Sequence, residues 1–425
     1  MNIKKKLISF FYDSKKINRG GIFKTNNTAK SGSDSSFCNL IIFLSKSFEI
    51  NVYCTKIPKD NIYKNIFFKK VNSITEAENK LKQDEFLIFN FSNDPKLLKL
   101  LLNNTNKSKK YIVWMHNTPP FKWLCKIEKS KSLFKLIAVS DSQRLALAHT
   151  KIYNKIISIP HFVEINKKLK KNANNSKQII FIGALVPSKG FHLLAQLWPN
   201  IHSKYPDWKL KVIGGIDLYH KLNKIKDAHI YKYENFFLSY IGGSYHNAKK
   251  FKVTFAGSIS KKKVLSEISE AEFIIVNPNY KNSYETFCIS AAEGLLYGKA
   301  ILGGNFGSLP EVIKHYVGGL LHNNNIQFKE NLLKLIQNIK LRKQLGQNGK
   351  KYYLCNFNNN DLKKRWLYLL SNKKITKHNS LNVYYDNFLK FFIRSAARYF
   401  LSNTNIFFLK KCIIYWKNIL KNQNN

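Results

Sequence analysis

Two glutamates, Glu285 and Glu293, lie eight positions apart in the otherwise small and apolar stretch NPNYKNSYETFCISAAEGLLYGKAIL. A helix is predicted to begin at Thr286 or Phe287 and to stop before Gly298. The free backbone N–H groups of its first turn would form an anion site at the positive end of the helix dipole. Eight helical residues span roughly 12 Å. The spacing therefore predicts two hydroxyl-binding carboxylates around a diphosphate, which suits a ligand with the order sugar, diphosphate, ribose and base.

Three other short stretches carry residue types suited to such a site. Lys189 precedes Gly190 at a predicted strand-to-helix turn, where an ammonium group could neutralise phosphate charge. His116 follows the strand YIVW at its carboxyl end, where ligands of parallel sheets collect. Gly20 and Gly21, in RGGI, would let the backbone approach a phosphate closely. Each also has a structural interpretation, as a solvated lysine, a core histidine or an ordinary glycine turn.

Two further polar segments have structural interpretations, which suffice for the first segment and leave a binding role open for the second. The sequence SDSQ predicts a helix N-cap at Ser140 or Ser142, which is sufficient to explain these serines. Glu311, in SLPE, could bind a ligand or cap a helix, and the sequence leaves both roles open.

Short apolar runs alternate with amphipathic stretches along most of the chain and predict βαβ units with parallel sheets. The strand-like runs are KLISFFY, EINVYC, FLIFNF, YIVWMH and KLIAVS, followed by QIIFIGAL, WKLKVIGG, KVTFAGSI, AEFIIVNP and KAILGGN. The polar residues 167–177 predict a linker. The predicted fold is α/β, with two doubly wound Rossmann-like domains, 1–166 and 178–360, facing a central cleft, and a basic, aromatic, helical tail within 361–425.

The chain has 425 residues and a formal net charge of +46, with a hydrophobic fraction of 44% that argues against extended disorder. The charge could serve a nucleic acid or an anionic membrane, or reflect a bias towards Lys, Asn, Ile and Phe. Because no nucleic-acid-binding motif is present, no specific nucleic-acid partner is predicted. Residues 371–425 hold one acidic residue, Asp386, among many basic and aromatic ones. This tail could pack on the first domain or make a peripheral contact with an anionic membrane.

The cysteines indicate a reducing compartment. They show no C-x-x-C pair and no spacing typical of a metal site, and they are Cys38, Cys54, Cys125, Cys288, Cys355 and Cys412. The apolar run at the amino terminus is too short for a signal peptide, and no run approaches the roughly 18 residues of a transmembrane helix. A cytoplasmic protein without a metal site is therefore expected, with peripheral contact at the inner face of the membrane left open.

Taken in order, the motifs resemble those of retaining glycosyltransferases of the GT-B fold, specifically glycosyltransferase family 4. Glu285 and Glu293 fit that family's Glu-x7-Glu motif, with NP before it and GKAILGGNFGSLPEVIKHYVGGLL after it. FIGALVPSKGFHLLAQLWPNI resembles the family's glycine-then-lysine segment, and VTFAGSISKKKVLSEISEAEFIIVNP resembles the segment that packs around the nucleotide. The resemblance covers about residues 3–370 and is specific in the second domain, whereas RGGI, WMHNTPPF and LIAVSDSQRLAL match more loosely.

The resemblance implies a role for each residue of the motif. Glu285 would contact hydroxyl groups of the donor sugar, and Glu293 would bind the ribose hydroxyls. The backbone N–H groups of Phe287 and Cys288 would meet the distal phosphate. Lys189 would neutralise the diphosphate and the charge that develops on the leaving group.

Further donor contacts are implied for three glycines and a histidine. Gly183 belongs to the glycine-then-lysine segment of the donor site, and Gly20 and Gly21 would let a first-domain loop approach the diphosphate. His116 would lie near the reacting sugar carbon. The first domain would face the acceptor, and a helix within 361–425 would cross back to it.

One position departs from the family pattern. The family usually carries an arginine directly after the glycine of its glycine-then-lysine segment, where this chain has Ala184. Arg19 or Lys24 could supply the missing charge, the site could vary within the family, or activity could be lost.

The expected function is metal-independent transfer of a hexose-type sugar, with retention, from a nucleotide-diphosphate donor. The acceptor would be a glycan or a lipid-linked glycan, as in polysaccharide, lipopolysaccharide or glycolipid synthesis. No cofactor besides the donor substrate is expected. The alternatives are a nucleotide-sugar epimerase of the same fold and a binding protein whose catalysis is impaired by Ala184.

Overall fold

The computed structural model describes residues 7–13, 32–57, 62–81, 86–92, 94–103, 109–148, 150–163, 176–216, 228–281 and 284–371. Several of the sequence-based predictions fall outside these ranges. They concern Arg19, Gly20, Gly21 and Lys24, most of the linker and all of the tail after Ser371.

The first half of the described chain forms an eight-stranded sheet in the order β3-β4-β2-β1-β5-β6-β7-β8. Its strands are β1 Leu7–Tyr12, β2 Glu49–Cys54, β3 Ile62–Tyr63, β4 Ile66–Lys70, β5 Phe86–Asn90, β6 Lys110–Met115, β7 Leu133–Ala138 and β8 Ile156–Ser158. Its helices are α1 Gly32–Leu44, α2 Ile74–Asn79, α3 Pro95–Asn103, α4 Phe121–Ile127 and α5 Asp141–Leu145. All neighbouring strands are parallel except the short edge pair β3 and β4. The five strands predicted here are confirmed, while β3, β4 and β8 were not predicted.

The second half forms a six-stranded parallel sheet in the order β11-β10-β9-β12-β13-β14. Its strands are β9 Gln178–Ile182, β10 Lys209–Ile213, β11 Val253–Gly257, β12 Phe273–Val276, β13 Ala300–Gly304 and β14 Gly319–His322. The helices here are α6 Phe191–Lys204, α7 Ala228–Ser239, α8 Tyr245–Ala248, α9 Lys261–Glu270, α10 Ile289–Leu296, α11 Leu309–Ile313, α12 Asn325–Gln337, α13 Ile339–Asn356 and α14 Asn359–Leu370. The five strands predicted for this half are confirmed.

The central strands are apolar along their whole length because helices cover both faces of each sheet. Every residue of β12 and of β13 is buried. Burying one such aliphatic side chain contributes about 1.5–3 kcal/mol. Polar side chains are therefore displaced to the loops at the carboxyl ends of the strands, which is where a ligand of such a sheet binds.

Helix α14 returns from the second sheet to the first. Trp366 is fully buried, and its ring centroid lies 5.7 Å from that of Trp114 on β6. Arg365 donates to the carbonyl oxygen of Ser158 at 3.3 Å at the end of β8. Asn359 donates to the carbonyl oxygen of Val163, also at 3.3 Å. These contacts, spread along α14, hold the helix against the first sheet and the segment that follows β8.

Candidate active site

Lys189 and Glu285 meet at the carboxyl edge of the second sheet. Lys189 ends a short 3-10 turn after β9, and Glu285 lies in the loop after β12, the strand beside β9. The Lys189 Nζ and the Glu285 Oε2 are 2.7 Å apart, and the two side chains are 24% and 13% exposed. The two residues, 96 positions apart in the chain, thus form a half-buried ion pair where ligands of parallel sheets bind.

Helix α10 begins at Ile289, two to three residues later than predicted, with Cys288 as its N-cap. The predicted start was wrong because the preceding backbone is held by a distant loop. Ser308 N–H donates to the carbonyl oxygen of Glu285 at 2.9 Å. Gly307 has φ 57°, and a Cβ on it would lie 2.4 Å from that same oxygen. Glu285 is consequently fixed outside the helix, ahead of its first turn.

Glu293 is 2% exposed and lies inside α10, which ends before Gly298 as predicted. Its Oε1 pairs with the Nζ of Lys261, the first residue of α9. A buried carboxylate costs several kcal/mol unless it is paired, so Lys261 makes this burial possible. Lys261 was not predicted as a site residue from the sequence. One sequence feature could have indicated Lys261 as a site residue. It directly follows the N-cap Ser260, at a strand-to-helix turn on the carboxyl edge of the sheet.

His116 follows β6 directly and is nearly buried between aromatic rings. Its Nε2 lies 3.0 Å from Asn90 Oδ1, and its ring stacks on His161 with centroids 5.0 Å apart. Burial lowers the pKa of His116 to about 3, so the imidazole is neutral at physiological pH. Thr286 Oγ1 donates to the carbonyl oxygen of His116 at 2.6 Å, which brings the Glu285 loop against the first sheet.

His161, which was not predicted as a site residue, extends this contact between the sheets. Its ring lies between that of His116 and that of Phe287, whose centroid is 5.3 Å away at a near-perpendicular angle. Burial and the neighbouring His116 hold the pKa of His161 well below its ordinary value. Nothing in SIPHFV distinguishes this histidine from any other core residue. Its partners become adjacent only through the tertiary fold.

Glu311, whose role the sequence left open, joins the two halves of the molecule. Its Oε1 accepts the backbone N–H of Asp141 at 3.0 Å, and its Oε2 accepts the N–H and Oγ–H of Ser142, both at 2.9 Å. These donors form the first turn of α5, whose N-cap is Ser140, one of the two serines predicted for that role. Burial and the charge of Asp141 raise the pKa of the Glu311 carboxyl.

We expect Glu311→Ala to lower the midpoint of urea unfolding, because two buried donors of Ser142 and the half-buried N–H of Asp141 lose their acceptor. Each unsatisfied buried donor costs roughly 1–3 kcal/mol. The exposed Glu330 on α12 offers a matched control, and Glu330→Ala should leave the midpoint unchanged. Equal midpoints for the wild type and Glu311→Ala would show that this contact between the two halves does not stabilise the fold.

Gly183 and Ala184 follow β9 beside Lys189. A Cβ on Gly183 would lie 3.4 Å from the Phe181 ring and 3.7 Å from the Cβ of Lys189, so little space is left there. Ala184 is 2% exposed, and the next residue, Leu185, bonds through its N–H to the loop after β10. The position that carries an arginine in the resembled family is therefore a packed, uncharged one in this chain.

Residues 163–352 match the family model described as Glycosyl transferases group 1. This range contains both candidate glutamates, Lys189 and all six strands of the second sheet. The second half of the chain is therefore similar to the glycosyl transferases group 1 family. A protein named uncharacterized glycosyltransferase, from Methanocaldococcus jannaschii, is 30% identical over 190 residues, which is 44% of this chain and 46% of that protein. The chain spans about half the length of the curated relatives it matches.

Solved structures extend the likeness to both halves of the chain. Sucrose-phosphate synthase from Thermosynechococcus elongatus matches with a TM-score of 0.66 at 15% identity, covering 87% of this chain and 99% of that one. HepE of Anabaena, in complex with UDP-glucose, matches with a TM-score of 0.61 at 13% identity, covering 86% and 99%. At such identities the likeness concerns the fold, and it confirms the predicted GT-B architecture.

Proposed function

We propose that this chain transfers a hexose-type sugar from a nucleotide-diphosphate donor to a glycan or lipid-linked acceptor, with retention and without a metal ion. The observation that carries the proposal is the Lys189–Glu285 ion pair just ahead of α10, the helix that also bears Glu293. One edge of the sheet thus presents a cation, a helix N-terminus and two carboxylates one after another. The UDP-glucose held by the HepE structure has the matching order of groups.

The donor would lie along the start of α10. Glu285 would accept hydrogen bonds from the sugar hydroxyls, and Glu293 would accept them from the ribose. Between them, the N–H groups of Phe287 and Cys288 would donate to the distal phosphate at the positive end of the helix. Ribose hydroxyls at Glu293 would join or replace Lys261 as its partners. The buried carboxylate would then remain satisfied throughout binding.

The proposed reaction requires negative charge to be neutralised as the nucleotide departs. The bond from the anomeric carbon to the distal phosphate oxygen breaks, and the acceptor oxygen bonds to that carbon from the same face. The acceptor proton passes to the departing phosphate oxygen. Lys189 would stabilise the charge on that oxygen, while neutral His116, across the cleft, would serve as a hydrogen-bonding group and not as a cation.

A panel of UDP-, GDP- and ADP-sugars tests the binding half of the proposal. A donor that binds only the folded chain must raise its stability, by about 2.7 kcal/mol at a concentration of 100 Kd. We expect the nucleotide sugars that carry one of the three bases to raise the thermal midpoint clearly more than those that carry the other two. No shift with any of them at millimolar concentration would contradict the proposal. A new sugar formed without acceptor would indicate the epimerase alternative.

Residues 371–425 are proposed to supply any membrane contact of this glycosyltransferase. Within the described ranges, no helix has the length and apolar character needed to cross a bilayer. Peripheral binding of the basic tail to anionic lipid and a cytoplasmic location at the inner face stay predictions, since residues 372–425 lie outside those ranges.

A further inference from the structure

Asn277 occupies an unusual position at the centre of the carboxyl edge. It directly follows β12 and is 3% exposed. Its φ is 44°, in the left-handed region that L-residues other than glycine seldom adopt, although asparagine tolerates it better than most. The N–H of Gly304, at the end of β13, donates to the carbonyl oxygen of Asn277 at 3.2 Å. The backbone is thereby held in this conformation from the neighbouring strand.

The side chain of Asn277 reaches the candidate catalytic carboxylate. Its Nδ2 donates to the Oε2 of Glu285, the same oxygen that receives the Lys189 Nζ at 2.7 Å. The Nδ2 also lies 3.9 Å from the Sγ of Cys288, the N-cap of α10. Two donors on one oxygen restrict the rotation of the carboxylate, and no hydrogen bond to Oε1 occurs among the described residues, so Oε1 can accept hydroxyl groups of a ligand.

Packing alone does not explain why an asparagine occupies position 277. A buried amide gains nothing over an apolar residue of similar size unless its hydrogen bonds are made. A left-handed backbone at a residue other than glycine costs of the order of 1 kcal/mol. Such costs persist chiefly at functional sites, where the surrounding structure holds the residue in place. The hydrogen bond to Glu285 gives a functional reason both for the buried amide and for the left-handed backbone.

We propose that Asn277 is the positioning residue for Glu285, holding its carboxylate towards the donor sugar while Lys189 interacts with the diphosphate. This inference rests on the proposed function. A lysine shared between a carboxylate and a phosphate cannot fix the carboxylate by itself. The Asn277 amide is neutral, so phosphate does not attract it, and it stays on Glu285 when the nucleotide binds. An aspartate at this position would face Glu285 with a like charge.

Two variants separate positioning from packing. Asn277→Gly keeps the left-handed backbone available and removes the amide, while Asn277→Asp keeps the shape and adds a charge. We expect kcat to fall about 10- to 100-fold in Asn277→Gly and further in Asn277→Asp. The Kd of free UDP, or of GDP or ADP if the donor panel selects that base, should stay within about twofold, because a free nucleoside diphosphate has no sugar for Glu285 to contact.

Asn331, a buried asparagine on α12 that donates to the carbonyl oxygen of Leu321, provides the matched control. Asn331→Asp should lower the thermal midpoint and leave kcat unchanged. Transfer by the wild type together with an unchanged kcat in Asn277→Gly would overturn this inference alone. A loss of kcat matched by an equal weakening of nucleoside diphosphate binding would also overturn it. No transfer by the wild type with any donor would overturn the proposed function, and this inference with it.

Discussion

Glu285→Gln should lower the turnover of the nucleotide sugar by about 10²- to 10³-fold, the range found when one preorganised electrostatic contact is removed from a transition state. The carboxylate would stabilise the positive charge that develops on the sugar as the diphosphate leaves. A glutamine of the same shape carries no charge and cannot accept hydrogen bonds at both terminal atoms. The half-buried Lys189 would also lose its anionic partner, which lowers the stability of the fold. This loss of stability is expected to be small, because the Lys189 side chain is 24% exposed and water can solvate it.

The measurement compares kcat with the thermal midpoint. Glu270→Gln is the control, because Glu270 is an exposed glutamate at the end of α9, in the same half of the molecule. We expect both variants to unfold like the wild type, with kcat reduced only in Glu285→Gln. A normal kcat in Glu285→Gln would remove Glu285 from the site.

Lys189→Met should weaken nucleoside diphosphate binding about 10-fold or more and lower kcat by about 10²-fold. Lys189 contributes both to binding the diphosphate and to neutralising it as it departs, so the two constants should change together. The effect is expected to be large because Ala184, buried and uncharged, cannot share this role. Calorimetric titration with the nucleoside diphosphate gives the first constant, and steady-state kinetics gives the second.

Lys177 provides a control of the same chemistry. It precedes β9, at the opposite end of the strand from Lys189, and its Nζ pairs with Asp207 at the same distance of 2.7 Å. That pair is exposed and contributes little to stability, so Lys177→Met should bind and turn over the donor like the wild type. Equal affinities in Lys189→Met and Lys177→Met would contradict the assignment of Lys189 to the diphosphate.

Periodicity and motif spacing indicate the parts of the candidate site that are local in sequence. The strands could be read from apolar runs because both faces of each sheet are buried. Their carboxyl ends then indicated Lys189, His116 and Glu285. The stop of α10 before Gly298 was predictable because glycine adopts the φ of 70° that the turn needs.

The remaining features depend on contacts between distant parts of the chain. The start of α10 is set by the loop after β13, and the partners of Glu311 lie about 170 positions away in α5. Lys261 becomes the partner of Glu293 only when α9 and α10 pack side by side. The left-handed backbone of Asn277 is fixed by a bond from β13. No local pattern encodes such pairings, since each partner's residue type is also common in ordinary loops.

The most direct test of sugar transfer from a nucleotide donor does not require the acceptor to be known. Water can slowly take the place of the acceptor. The nucleotide sugar that stabilises the chain is therefore incubated with a high concentration of protein, and its products are followed by NMR. We predict release of the nucleoside diphosphate together with free sugar whose first-formed anomer matches that of the donor, and loss of both signals in Glu285→Gln. First formation of the opposite anomer, or no release above the blank with any stabilising donor, would contradict the account.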